Sequence, residues 1–126
     1  MSTRRRITTA LVRRLALALP EVLESSHFSR PDFRVQSKIF ATLPSDGKTV
    51  VLRLAPANVD ALISADPVAF WNEWRNRWLG VRLDHIALPV LRDLIADAWR
   101  TVAPKRLGAV PRRPGSKVRR SLSASR

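Results

Sequence analysis

The side chains able to do chemistry in this chain gather in one stretch, His27 to Leu43, HFSRPDFRVQSKIFATL. His27, Arg30, Arg34 and Lys38 put an imidazole and three cations close together, a set suited to holding an anion. Ser26, His27 and Asp32 supply the residue types of a Ser-His-Asp hydrolase, but a triad is defined by geometry, and adjacency in sequence does not provide it. The second histidine, His85, is far along the chain. Cysteine is absent, which excludes disulfides, thiolate metal sites and cysteine nucleophiles. There is no nucleophile elbow, phosphate loop or HExxH. The expectation is a protein that is not an enzyme and carries no catalytic residue, metal or cofactor. Taken singly, the four polar residues read as exposed strand and turn side chains, paired with Asp32 or Glu24. As a group with Lys105 and Arg106 they would form a phosphate-binding edge.

The formal charge of +13 resembles that of a nucleic-acid binder, and its distribution says more than its size. Residues 1–14 hold five basic residues and no acid. Residues 103–126 hold eight, Lys105, Arg106, Arg112, Arg113, Lys117, Arg119, Arg120 and Arg126, again with no acid. The remaining ten of the 23 basic residues face all ten acids between 15 and 102. The interior is electroneutral, and the excess sits at the two ends.

With 126 residues, 45% of them apolar, and a mean hydropathy of -0.12, the chain has room for one domain with one core. No apolar run approaches the roughly 20 residues of a membrane span, so no membrane association is expected. The lack of cysteine fits a reducing compartment, and a cytoplasmic location is expected. MSTRRRITTALVRRLALALP is rich in Arg and Thr and free of acid, a composition that fits a mitochondrial presequence, whereas Arg13 and Arg14 interrupt the apolar part that a secretory signal needs. The spacing of Ile7, Leu11, Leu15 and Ala18 predicts instead a helix over 8–19, with Thr8 or Thr9 as cap, Ile7 as staple and Pro20 as stop.

Downstream, Glu21 to Ser26 reads as a polar connection. Asp32 to Val35 and Lys38 to Leu43 alternate as strands, so Gln36-Ser37 falls at a tight turn where Asn-Gly would be usual. Pro44-Ser45-Asp46-Gly47 is a strong turn signal before a strand over Thr49–Leu54. Pro56 opens a short helix to about Ala65, and Asp66-Pro67 caps another helical piece to about Trp71. Residues 72–77 fit helix or loop, because Trp71, Trp74 and Trp78 fall at i, i+3 and i+7. Trp78 to Asp84 alternates as a strand. Apolar residues at 88, 91, 94, 95, 98, 99 and 102 predict a closing helix that Pro104 ends. Residues 108–126 are Pro, Gly, Ser, Arg and Lys without periodicity, and a disordered basic tail is expected. The order α-β-β-β-α-β-α implies an α+β layer with helices on one face of an antiparallel sheet. Phe28, Phe33 and Phe40 are expected as buried anchors, with Trp99 and Trp78 in the core and Trp71 and Trp74 as core or lid.

These segments, in this order, resemble the MmcQ/YjbR-like family of small bacterial proteins. The resemblance rests on Leu19-Pro20, Glu24, His27-Phe28, Pro31 to Val35 and Lys38 to Ala41. It continues through Leu54 with Pro56, Ala65-Asp66-Pro67 before Phe70, Trp78 to Asp84, and Ala98-Trp99 to Leu107. It covers about residues 8–107, so a domain over 1–107 and a tail over 108–126 are expected. The turn Gln36-Ser37, where the family is usually Gly-rich, and the tail depart from the pattern. The resemblance implies a frataxin-like sandwich, described in this family as a double wing, and a DNA-binding role attached to that architecture. The iron-binding acids on the first helix of frataxins have no counterpart here, because residues 1–20 contain no acid.

The expected function is therefore DNA binding, largely without sequence preference, through phosphate contacts. The residues expected to make them are Arg30, Arg34, Lys38, Lys105, Arg106, Arg112, Arg113, Lys117, Arg119 and Arg120. Trp74-Arg75-Asn76-Arg77-Trp78 interleaves aromatic and basic residues as single-strand binders do. A monomer is expected. The alternative is a protein- or small-ligand-binding module whose tail only aids solubility.

Overall fold

Thr8 starts the first helix, its hydroxyl accepting from the Leu11 N–H at 3.1 Å, so one of the four unpaired donors of a helix start is satisfied. The computed structural model describes residues 7–107, and the tail expected over 108–126 lies outside them. Helix α1 (Thr9–Leu17) buries Val12 and Ala16, while Leu11 and Leu15 are half-buried and Ala18 is exposed. The buried line is thus rotated from the Ile7–Leu11–Leu15–Ala18 stripe. Small side chains at i and i+4 let α1 lie close to its neighbours.

Strands β1 (Leu23–His27), β2 (Arg30–Val35), β3 (Lys38–Thr42) and β4 (Thr49–Arg53) run as a meander. After α2 (Pro56–Ala65) come β5 (Phe70–Trp74) and β6 (Trp78–Arg82), then α3 (Leu88–Val102). The strands form one antiparallel sheet in the order β1-β2-β3-β4-β6-β5. Helix α3 lies on β3 and β4, α1 on α3 and β4, and α2 on β5. This is the expected α+β layer, with two more strands than expected. The connection at Glu21–Ser26 is mostly the edge strand β1, and residues 70–74 are the edge strand β5 rather than helix or loop.

The core lies between sheet and helices. It takes Phe33 and Val35 from β2, Phe40 and Ala41 from β3, Val50 and Leu52 from β4, and Leu79 and Val81 from β6. Against these stand Leu91, Leu94, Ile95, Ala98, Trp99 and Val102 of α3, close to the predicted stripe. Trp99 is 0% exposed, and its indole N–H donates to the Pro20 carbonyl at 3.0 Å, pinning α3 to the end of α1. Phe40 and Ala41 are adjacent yet both face the core, because the pairing shifts between Phe33 and Arg34. Ala41 stands opposite Phe33 and Ile39 opposite Arg34, leaving Phe40 as the extra residue of a bulge. Phe28 contradicts its expected burial: it is 97% exposed at the tip of the β1–β2 hairpin, where it cannot reach the core.

Candidate functional site on the open face of the sheet

The helices cover one face of the sheet, and the register defines the other. Ser25 pairs with Asp32, Asp32 with Thr42, Thr42 with Val51, Val51 with Gly80, and Gly80 with Trp71. Paired residues share a face, so this row crosses all six strands on the side away from the helices. Its centre is small, Thr42, Val51 and Gly80. Trp71 is large at the β5 end, and on the β1–β2 side the bulk comes from His27 and Arg30, the next pair along the same face. Val51 is buried but does not belong to the helix-side core. The result is a groove of about 280 Å³ lined by His27, Arg30, Ile39, Thr42, Val51, Glu73, Trp74 and Trp78.

One wall is the β1–β2 hairpin, organised by Asp32. Its carboxylate is 0% exposed, accepts from Arg34 Nε at 2.7 Å and Nη2 at 3.0 Å, and lies 2.7 Å from His27 Nδ1. Burial pushes the Asp32 carboxyl up, but the hydrogen bonds from Arg34 and His27 outweigh it and hold the group below its ordinary value. The same contact raises Arg34. His27 is thereby fixed in orientation where it lines the groove. Among the described residues, no hydroxyl is hydrogen-bonded to its ring. Ser26 contributes only its carbonyl, 3.5 Å from Arg34 Nη2.

The other wall is the β5–β6 hairpin. A side-chain carbon on Gly80 would fall 2.0 Å from the Trp71 ring, so only glycine lets that indole lie flat across β6. The Arg82 guanidinium stacks on the ring at 4.8 Å and donates to the Val68 carbonyl at 2.6 Å. The Trp71 indole N–H donates to Glu73 at 2.8 Å. Trp74 is 58% exposed, with Arg75 against its ring at 4.6 Å. Trp78, expected in the core, is half-buried and walls the groove instead. It pairs with Arg53, whose Nε is buried and, among the described residues, has no hydrogen-bond partner.

The expected phosphate-binding residues separate. Arg30 lines the groove. Arg34 is held by Asp32, and Lys38 is exposed at the start of β3. Arg106 pairs with Glu21 at 2.9 Å, just ahead of β1 and beside Lys105 in a short 3-10 turn over Lys105–Leu107. Register sets Leu23 beside Arg34 and Val35 beside Lys38. Arg34, Lys38 and Arg106 therefore mark one end of the first strands, and Arg30 the other. Arg112, Arg113, Lys117, Arg119 and Arg120 lie outside the described residues. Sequence reasoning missed Ile39, Thr42, Val51 and Glu73 as groove residues, since their meeting depends on cross-strand register. The interleaved tryptophans were the available signal.

The YjbR family model matches residues 17–101. Comparison with curated proteins gave no match. Among solved structures, a Deinococcus radiodurans protein with a DUF419 domain aligns with a TM-score of 0.69 at 21% identity, over 87% of this chain and 94% of its own. A Pseudomonas syringae protein aligns at 0.62 and 13% identity, over 77% of this chain and 100% of its own. At those identities the likeness is one of fold. Because the family model covers more than half of the sequence, the chain belongs to the YjbR family.

Proposed function

We propose that this protein binds nucleic acid, DNA in the first instance, through phosphate contacts made by its basic ends and by the open face of the sheet. The observation that carries this reading is the charge pairing on that face. Its carboxylates are engaged, Asp32 by Arg34 and His27, and Glu73 by Trp71. Among the described residues, Arg30 and Arg53 on this face, and Arg75 against the Trp74 ring, take part in no ion pair. Glu73 keeps its charge, since an indole N–H does not neutralise it, but the guanidiniums without a carboxylate partner outnumber it. The balance attracts phosphate, and the acid-free ends extend the same sign of charge beyond it. The role proposed for His27 is to line the groove, oriented by the Asp32 carboxylate.

The test replaces Arg30 and Arg75 by Gln in the full chain and measures affinity for a labelled duplex at several salt concentrations. Loss of two phosphate contacts should weaken binding equally across sequences. It should also flatten the dependence of log K on log salt by about 0.9 per contact. An unchanged slope and affinity would remove the open face from the interface. The second reading, a small-ligand or protein module with a solubilising tail, is favoured by the groove itself and predicts no affinity for nucleic acid at low salt.

A further inference from the structure

We infer that the groove between the two hairpins seats one unpaired base of a single-stranded nucleic acid, an inference that rests on the nucleic-acid reading above. A volume of about 280 Å³ falls at the small end for ligand sites. It suits one heterocycle, not a duplex or a protein helix. The lining divides by chemistry. Trp74 and Trp78 offer indole surface, and Ile39 and Val51 form an apolar floor. Aromatic side chains of this kind stack any base, because every base has a π-face. Thr42, with a hydroxyl that donates and accepts, and Glu73, an acceptor, are placed to meet a base edge. Arg30 supplies the charge for the adjoining phosphate.

The walls are set before binding: Asp32 fixes His27 on one side, and on the other Gly80 with Arg82 clamps Trp71 beside the groove. Ordering costs are therefore low. Arg75 lies against the Trp74 ring but does not line the groove, so the indole itself forms the wall.

The occupant is a strand rather than a free nucleotide because the binding chemistry continues past the groove on both sides. Beyond His27 stands Phe28, 97% exposed, its ring centroid 6.0 Å from that of His27 and edge-on to it. Beyond Trp74 stands Arg75, exposed and against its ring. A neighbouring base and neighbouring phosphates have partners there.

The experiment compares full-length protein, at one salt concentration, against a fluorescent oligonucleotide as a single strand, the same oligonucleotide annealed to its complement, an abasic strand of equal length, and a mononucleotide. The single strand should bind at least about tenfold tighter than the duplex or the abasic strand. Trp74→Ala should lose about tenfold or more on the single strand alone, and Trp74→Phe should recover part of it. Trp74 is 58% exposed, so its removal leaves the core untouched, and an unchanged melting temperature checks this. Equal affinity for strand, duplex and abasic strand, or a silent Trp74→Ala, overturns the base seat while leaving phosphate binding intact. A mononucleotide that binds as tightly as the strand overturns the strand assignment. Absence of binding to every probe overturns the nucleic-acid reading itself.

Discussion

Asp32 carries more of the open face than any other residue. It is buried, charged and shared between a guanidinium and an imidazole, so removing its charge leaves two partners short of an acceptor. Its carboxyl is held below the ordinary value in the folded chain. The group therefore adds stability above the unfolded carboxylate range near about 4, and that contribution is lost as pH falls through the folded value. Asp32→Asn should cost about 2 kcal/mol at neutral pH by urea unfolding. The variant should also lose less stability than wild type between neutral pH and about pH 3; an equal loss would mean that Asp32 titrates alike in both states. Some acid sensitivity remains in the variant, because Asp46 is also held low, chiefly by the Lys48 N–H at 2.8 Å with further help from Thr49. Gly80 is the second decisive position. Gly80→Ala forces the Trp71 ring off β6 and should cost about 1–3 kcal/mol with a change in tryptophan emission. Unchanged stability and emission would show that the ring has room to move.

At the scale of elements, the hairpins carry strain that the helices do not. Phe28 and Ser29, Gln36 and Ser37, and Arg75 and Asn76 all have positive φ. A two-residue loop with both residues in that region is what the twist of a hairpin requires, but it costs side chains other than Gly or Asn roughly 1–2 kcal/mol each. Gln36-Ser37 is thus the tight turn that its position predicted, built from unfavourable residues. Ser37→Gly, at φ 70°, should stabilise the domain by about 1 kcal/mol, raising the melting temperature by about 4–8 °C. A fall instead would show that the Ser37 side chain contributes more than its strain costs. The same elements show where sequence legibility ended. Helix α3 was readable because six buried positions repeat at helical spacing under a proline stop. Strand β1, LESSH, was not, because it is an edge strand whose residues are nearly all exposed and so lack apolar alternation. In β5 a shift between Asn72 and Trp74 breaks the alternation, and the helical spacing of the tryptophans took its place. Asp66 does make the cap-like bond expected of it, to the Ala69 N–H at 3.1 Å, but only one turn forms before the strand begins. The groove was legible only in its residue types: His27, Arg30 and the tryptophans stood out, whereas their convergence depends on a register no local pattern carries.

For the whole molecule, the folded part between 15 and 102 balances its charges, and the excess lies at the ends. Affinity for phosphate should therefore divide between a face that positions the strand and arms that attract it, with the arms dominating at low salt. The most direct measurement is the slope of log K against log salt for a DNA duplex. It compares the full chain with a full-length variant in which Arg112, Arg113, Lys117, Arg119 and Arg120 are replaced by Gln. The account predicts a steep negative slope for the full chain, flattened in the variant by up to about 4.5 if all five residues contact phosphates. Two identical slopes, or no binding by the full chain at low salt, would contradict it.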